Sequence, residues 1–348
     1  VLDRYYVPGG KSPDTPFISY PMPTAKPTHR QLEMMVVANF VEVYLAKEDH
    51  DGLVGINYLE KIQLPTLPSL YGAMLADVDY VLMGAGIPRA IPGILDRLSQ
   101  GEPVELALHV EGADRRDKYT TNFDPREFLG DRLPWVRRPK FLAIVASATL
   151  ASMLARKANG HVDGFIVEGP TAGGHNAPPR GAMQLNDRGE PRYGERDIVD
   201  LSAIEALGRP FWLAGSYGRP EKVSEALAMG AAGVQVGTAF AFCKESGLTE
   251  EIRHRIVQKS RDNDVDVKTD PVASPAGFPF KVLQLEDTLS NDERYEKRRR
   301  VCDLGYLRHA YKREDGTIGW RCGAEDVDAF LRKGGTIEGT RGKKCVCN

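Results

Sequence analysis

Phe165-Ile166-Val167-Glu168-Gly169-Pro170-Thr171-Ala172-Gly173-Gly174-His175 reads as a buried strand that runs into small residues and ends on an imidazole. An uninterrupted apolar run of this length is what a strand covered on both faces looks like. Outward from it, short apolar runs recur at 54–58, 78–83, 141–146, 164–167, 211–214 and 233–236, separated by longer helical stretches. That alternation is the mark of βαβ units and a parallel sheet. The helical stretches 148–159 and 220–229 are each followed by a glycine, Gly160 and Gly230, in the place where a left-handed residue closes a helix.

Two architectures fit such a sheet, and the placement of glycine separates them. A doubly wound dinucleotide fold carries its Gly-rich turn after the first strand. Here the richest turns follow the fourth, fifth and sixth strands, so the expected fold is an α/β (β/α)8 TIM barrel with its site built late. Six strands leave such a barrel two short, and the proline-rich residues 1–30 do not supply them. The chain starts at Val1 rather than Met, and a missing N-terminal piece carrying the first two strands is expected. The expected organisation is an extended segment and helix over 1–50, a (β/α) barrel over 51–262 and a Cys-containing extension over 263–348. Two insertions, 102–140 and 176–200, interrupt the barrel, and the second directly follows His175. A loop of that length after a strand reads as a lid.

A formal net charge of -2 gives no footprint for nucleic acid or for an anionic membrane, and points to a small, neutral or anionic ligand. The longest charge-free apolar stretch, 141–155, is too short to span a bilayer. The basic run 297–300 reads as a solvated helix face. Five cysteines do not make a secreted disulfide framework, so a reducing compartment and a cytoplasmic location are expected. Cys302, Cys322, Cys345 and Cys347 are enough for a tetrathiolate, but their separations and C-x-C ending do not match common zinc spacings. They read first as buried or incidental thiols, with a structural metal site as the alternative, and no metal ligand is assigned.

Chemistry concentrates at the strand ends. Paired glycines at 173 and 174 let backbone approach a flat ligand, and His175 beside them has the side chain best matched to proton transfer near neutral pH. The turns Ala214-Gly215-Ser216-Tyr217-Gly218 and Val236-Gly237-Thr238 place backbone N-H groups and two hydroxyls where barrels hold a phosphate. Gly84-Ala85-Gly86-Ile87-Pro88-Arg89 also follows a strand, but Arg89 stands where a dinucleotide fingerprint needs its third glycine. It is read as an ordinary βα loop.

The Glu168 to His175 segment, the Gly215 and Gly218 turn, and Gly230-Ala231-Ala232-Gly233-Val234-Gln235-Val236-Gly237-Thr238 resemble the nitronate monooxygenases, formerly 2-nitropropane dioxygenases. These are FMN-dependent (β/α)8 enzymes with FMN-dependent enoyl-ACP reductases as relatives, and the resemblance covers about 52–247. It implies His175 as the catalytic histidine. It also implies FMN contacts from Asn57, Glu168, Gly169, Gly173, Gly174, Gly215, Ser216, Gln235, Val236, Gly237 and Thr238. Thr171 stands where the family has an acidic residue and Ser216 where it has a second glycine, and the family's opening strand and Met-containing loop have no counterpart. The implied reaction is oxidation of alkyl nitronates with molecular oxygen. An NAD(P)H-dependent reductase of enoyl thioesters or quinones and a non-catalytic phosphate-ligand barrel are the alternatives; the oligomeric state is left open.

Overall fold

The computed structural model of the chain describes residues 8–347 except 11, 13, 16–19, 115, 131 and 132. Part of the expected N-terminal extended segment therefore lies outside the described residues. Six strands form the central sheet: β1 (Gly55–Leu59), β2 (Tyr80–Gly84), β3 (Lys140–Val145), β4 (Gly164–Glu168), β5 (Phe211–Ala214) and β6 (Gly233–Gln235). All neighbours are parallel and the spatial order is the sequence order. A doubly wound sheet would show a reversal of order, and there is none. The observed strand limits fall within two residues of the expected ones.

Alternation along the strands separates two faces. Val81, Met83, Phe141, Ala143, Val145, Phe165, Val167, Phe211 and Leu213 join the large core, against which helices pack. Leu142, Ile166 and Ala214, flanked by Tyr80, Leu82, Ile144 and Trp212, form a second, much smaller cluster on the other face. This helix-free face, at its C-terminal edge, is where the site is built.

Helix α1 (His29–Ala46) has a mixed apolar pattern, and what defines its start is the capping box between Thr28 and Gln31. It crosses α2 (Thr66–Leu75) at Gly72, where a Cβ would stand 2.2 Å from the Val36 carbonyl oxygen, so only glycine permits the contact. Helix α3 is Ile91–Ser99 and α4 is Ala148–Lys157. Gly160, expected to close α4 with a left-handed residue, has another role: its φ is not positive, and a Cβ there would meet Asp96 Oδ2 at 2.3 Å and Gly93 N at 2.7 Å. It is glycine because the loop passes over α3. After α5 (Leu201–Glu205), Gly230 does end α6 (Pro220–Ala228) as expected, with φ +85°.

The extension is built into the rest of the molecule. Strands β7 (Val267–Asp270) and β8 (Phe280–Leu283) form an antiparallel hairpin. Strands β9 (His309–Lys312) and β10 (Ile318–Arg321) pair antiparallel, and β9 also pairs with Val110–Glu111 of the first insertion. The basic run 297–300 is only partly a solvated face: Arg300 has a side-chain exposure of 8%, and its Nη1 donates to the carbonyl oxygens of Gly323 and Thr340. Among the described residues no helix is long and apolar enough to cross a membrane.

Candidate active site

Parallel pairing fixes which side chains share a face. Glu168 on β4 and Gln235 on β6 both stand in register with Ala214 on β5, so the two flank it on the helix-free side. Asn57 on β1, in register with Leu82, points to that same side. It lies three strand spacings from Glu168, about 14 Å along the sheet, and is exposed. Asn57 therefore stands apart from the cluster formed by the others.

The loops after β4, β5 and β6 meet one another. Gly215 has φ +106°, and a Cβ on it would come within 2.9 Å of the Ala172 nitrogen and the Thr171 hydroxyl. Ser216 follows with φ +62°, a left-handed conformation unusual for a non-glycine residue. The Gly169 amide is engaged, donating to the Ala214 carbonyl at 3.0 Å. A Cβ on Gly173 would find only the Thr238 hydroxyl, at 3.9 Å, and one on Gly174 or Gly237 would find open space. Val236 lies 3.2 Å from where a Gly218 Cβ would be. The glycine-histidine loop and both candidate phosphate turns thus form one continuous surface.

His175 is held from the extension, which sequence reasoning treated as an appendage. Its Nε2 lies 2.6 Å from Ser274 Oγ, and its ring packs on Phe280 at 4.7 Å between centroids. Backbone bonds from Asn176 N to the Pro279 carbonyl (2.8 Å) and from Lys281 N to the Gly174 carbonyl (2.9 Å) stitch the loop to β8. Ser274 is fully buried, and its Oγ also accepts the Ala276 amide at 3.1 Å. Burial pushes the His175 imidazole below its ordinary value, which favours the neutral ring. Ser274, Phe280 and Lys281 are site residues that the sequence reading missed. The turn-rich run Ser274-Pro275-Ala276-Gly277-Phe278-Pro279 was the available signal, since a tight turn with few donors commonly positions a neighbouring loop.

Glu168 is pushed up to about 7 by burial, a shift partly opposed by the Lys281 ammonium. It lines a cavity of about 150 Å³ together with Ser147, Asn176, Arg180, Tyr193 and Asp197. The roof of that cavity is the insertion 176–200. The insertion is tied to the β7–β8 hairpin through the Thr269 amide on Glu190 Oε1 (2.9 Å) and an Arg188–Asp266 ion pair (2.6 Å). Two buried side-chain oxygens, Asn176 Oδ1 and Gln235 Oε1, have no hydrogen-bond partner. A larger cavity, about 760 Å³, lies elsewhere, lined by Lys26, His29, Arg97, Glu105, Asp124 and Phe128, and includes no candidate residue.

Residues 131–276 match the family model described as nitronate monooxygenase. A probable nitronate monooxygenase from Bacillus subtilis (strain 168) is 33% identical over 125 residues, covering 36% of this chain and 33% of that protein. The (3aS,4S,5R,7aS)-5-hydroxy-7a-methyl-1-oxo-octahydro-1H-indene-4-carboxyl-CoA dehydrogenase of Rhodococcus jostii (strain RHA1) is 27% identical over 146 residues, covering 42% of this chain and 35% of that protein. A mutant of FabK from Thermotoga maritima overlays with a TM-score of 0.42 at 20% identity, covering 72% of this chain and 68% of that one. The chain spans about a third of the length of these two curated relatives. The matched segment runs from just before β3 to the loop that carries Ser274, and over it the chain is similar to the nitronate monooxygenases.

Proposed function

We propose that the loops after β4, β5 and β6 bind FMN and that the protein oxidises small alkyl nitronates, and the nitroalkanes that give rise to them, with molecular oxygen. The observation that carries this reading is a half-buried His175, 2.6 Å from a buried Ser274, set directly beside an open glycine surface. On this reading the sheet is six strands of a (β/α)8 barrel, with 51–262 as the flavin-binding unit flanked by 1–50 and 263–348.

The residues present fit a flavin mononucleotide. Gln235 Oε1 is a buried acceptor without a donor, which a ribityl hydroxyl or ring N-H satisfies. The space over Gly173, Gly174 and Gly237 admits a flat ring, and Gly215, Ser216, Gly237 and Thr238 supply the amides and hydroxyls for a phosphate. Glu168, Gly169 and Val236 line the same strand ends, and Asn57 is the outlying contact across the sheet. When bound, FMN supplies the electron acceptor that side chains lack.

His175 then has one of two tasks, set by its tautomer. If Nε2-H donates to Ser274, the other ring nitrogen is free to take the α-carbon proton of a nitroalkane. If the Ser274 hydroxyl donates to Nε2, the other nitrogen carries the proton and orients the nitronate oxygens. The insertion 176–200 excludes water from the space beside Glu168. Substrate and oxygen are the only partners assigned, and the free thiols of all five cysteines suit the cytoplasm.

A second reading, an NAD(P)H-dependent flavin reductase of an enoyl thioester or quinone, is favoured by the CoA thioester named in the Rhodococcus relative. Purified protein tests the cofactor part of both. Flavin absorbance and release of FMN on denaturation are expected; colourless protein that FMN does not reconstitute overturns it.

A further inference from the structure

The extension brings its four cysteines together. Cys302 follows the helix Asp292–Lys297, Cys322 follows β10, and Cys345 and Cys347 sit near the end of the chain, yet all four line one cavity. That cavity is about 10 Å³, room for one small ion and too little for an organic ligand. The Cys345 and Cys347 side chains hydrogen-bond each other. The backbone amides of Gly305, Ala324 and Leu307 face Cys302, Cys322 and Cys347 respectively, although burial pushes the Cys302 and Cys322 thiols up in the absence of a cation. Amide donors of this kind stabilise thiolate sulfur around a metal. The cavity also takes in Arg308, fixed by bonds to the Gly305 carbonyl (3.0 Å) and the Pro23 carbonyl (2.6 Å). A divalent ion held by four thiolates carries a net charge of -2, and the guanidinium beside it offsets part of that.

We propose that Cys302, Cys322, Cys345 and Cys347 bind one Zn²⁺ as a tetrathiolate that fastens the extension together. Long separations in sequence argue against a compact zinc motif, but ligand convergence is a property of the fold. Among the described residues no group of three or more His, Cys, Asp or Glu side chains is already placed to hold a metal ion, so the four thiols line the cavity without forming a ready-made site. Binding draws them in to Zn–S distances of about 2.3 Å and releases the thiol protons, the usual coupling of metal uptake to local folding. The apolar core around this place is small, with Tyr295, Leu307, Ala310, Cys322, Ala324 and Phe330 among its buried members. Small units of this sort commonly rely on a metal.

The metal would also brace the active site. Pro275 lines the cavity, the Lys344 amide bonds the Ala273 carbonyl at 2.8 Å, and Lys343 Nζ bonds the Ser274 carbonyl at 3.2 Å. The segment that carries Cys345 and Cys347 therefore holds the turn that carries Ser274.

Elemental analysis of the purified full chain, grown with zinc and kept reduced, tests this directly. One zinc per chain is expected, and replacement by Co²⁺ should give thiolate-to-metal charge-transfer absorption in the near ultraviolet. Cys345→Ser should lower zinc content at least tenfold in protein that keeps its far-ultraviolet spectrum. Should that variant fail to fold, the wild-type zinc content and cobalt spectrum still decide. Less than about 0.1 zinc per chain with four freely titrating thiols, disulfides found by mass spectrometry, or iron with cluster absorbance would each overturn the proposal.

Discussion

His175 and Ser274, 99 residues apart in sequence, meet at 2.6 Å across the seam between the strand-end loops and the β7–β8 hairpin. The extension is therefore part of the site's geometry. Ser274→Ala removes the side-chain hydrogen bond that orients the ring, while Phe280 still packs against its face. Turnover should fall about 10- to 100-fold, the range for a misplaced reacting group. Flavin content measured by absorbance should stay unchanged, because Ser274 belongs to no phosphate turn.

His175→Ala separates the two tasks open to the imidazole. As a general base His175 contributes about 10²- to 10⁴-fold, so turnover of a neutral nitroalkane should drop by that amount. A preformed nitronate has already lost its proton and should suffer less. Equal losses on both substrates, with flavin retained, assign an orienting role instead. The acid limb of the nitroalkane pH profile should lie below the ordinary imidazole value, because burial favours the neutral ring.

Glu168 makes stability depend on pH. Its folded value, pushed up to about 7 from an ordinary 4.5, means the native state holds a proton that the unfolded chain gives up. Stability should therefore fall as pH rises from about 4.5 through 7, by at most about 3 kcal/mol at 1.4 kcal/mol per unit. Glu168→Gln removes that penalty. In thermal melts the variant should gain on the parent at pH 8, and the gap should close below pH 5. A pH-independent gap would contradict the assigned cause.

Gly215→Ala tests the turn after β5. The left-handed φ and the 2.9 Å approach to Ala172 and Thr171 leave no room for a methyl group. A cost of about 1–3 kcal/mol in stability is expected, the usual range for strained backbone. FMN affinity measured by fluorescence titration should fall with it. Gly237→Ala, where a Cβ meets nothing, should keep its stability and lose flavin affinity alone.

The parallel sheet and its order were legible in sequence because they follow from local signals: apolar runs of strand length and glycines at chain reversals. The cluster of Glu168, Gln235, Gly215 and Thr238 was legible for the same reason, since strand ends share one edge of a parallel sheet. Gly160 misled because a glycine needed for close approach looks the same as one needed for positive φ. Ser274 and the convergence of four cysteines were not legible. Both depend on how residues 263–348 fold back over the loops, and no periodicity records a contact between residues 99 positions apart. Asn57 shows the converse limit, because a resemblance in the run 55–57 grouped it with the cluster and said nothing of its distance, three strands away along the sheet.

Anaerobic mixing of the flavin-loaded protein is the most direct test of the proposed activity. An alkyl nitronate should bleach the flavin absorbance within the turnover time, admission of oxygen should restore it, and NAD(P)H alone should leave it unchanged. Bleaching by NAD(P)H with none by nitronate would contradict the account and assign the protein to the reductases.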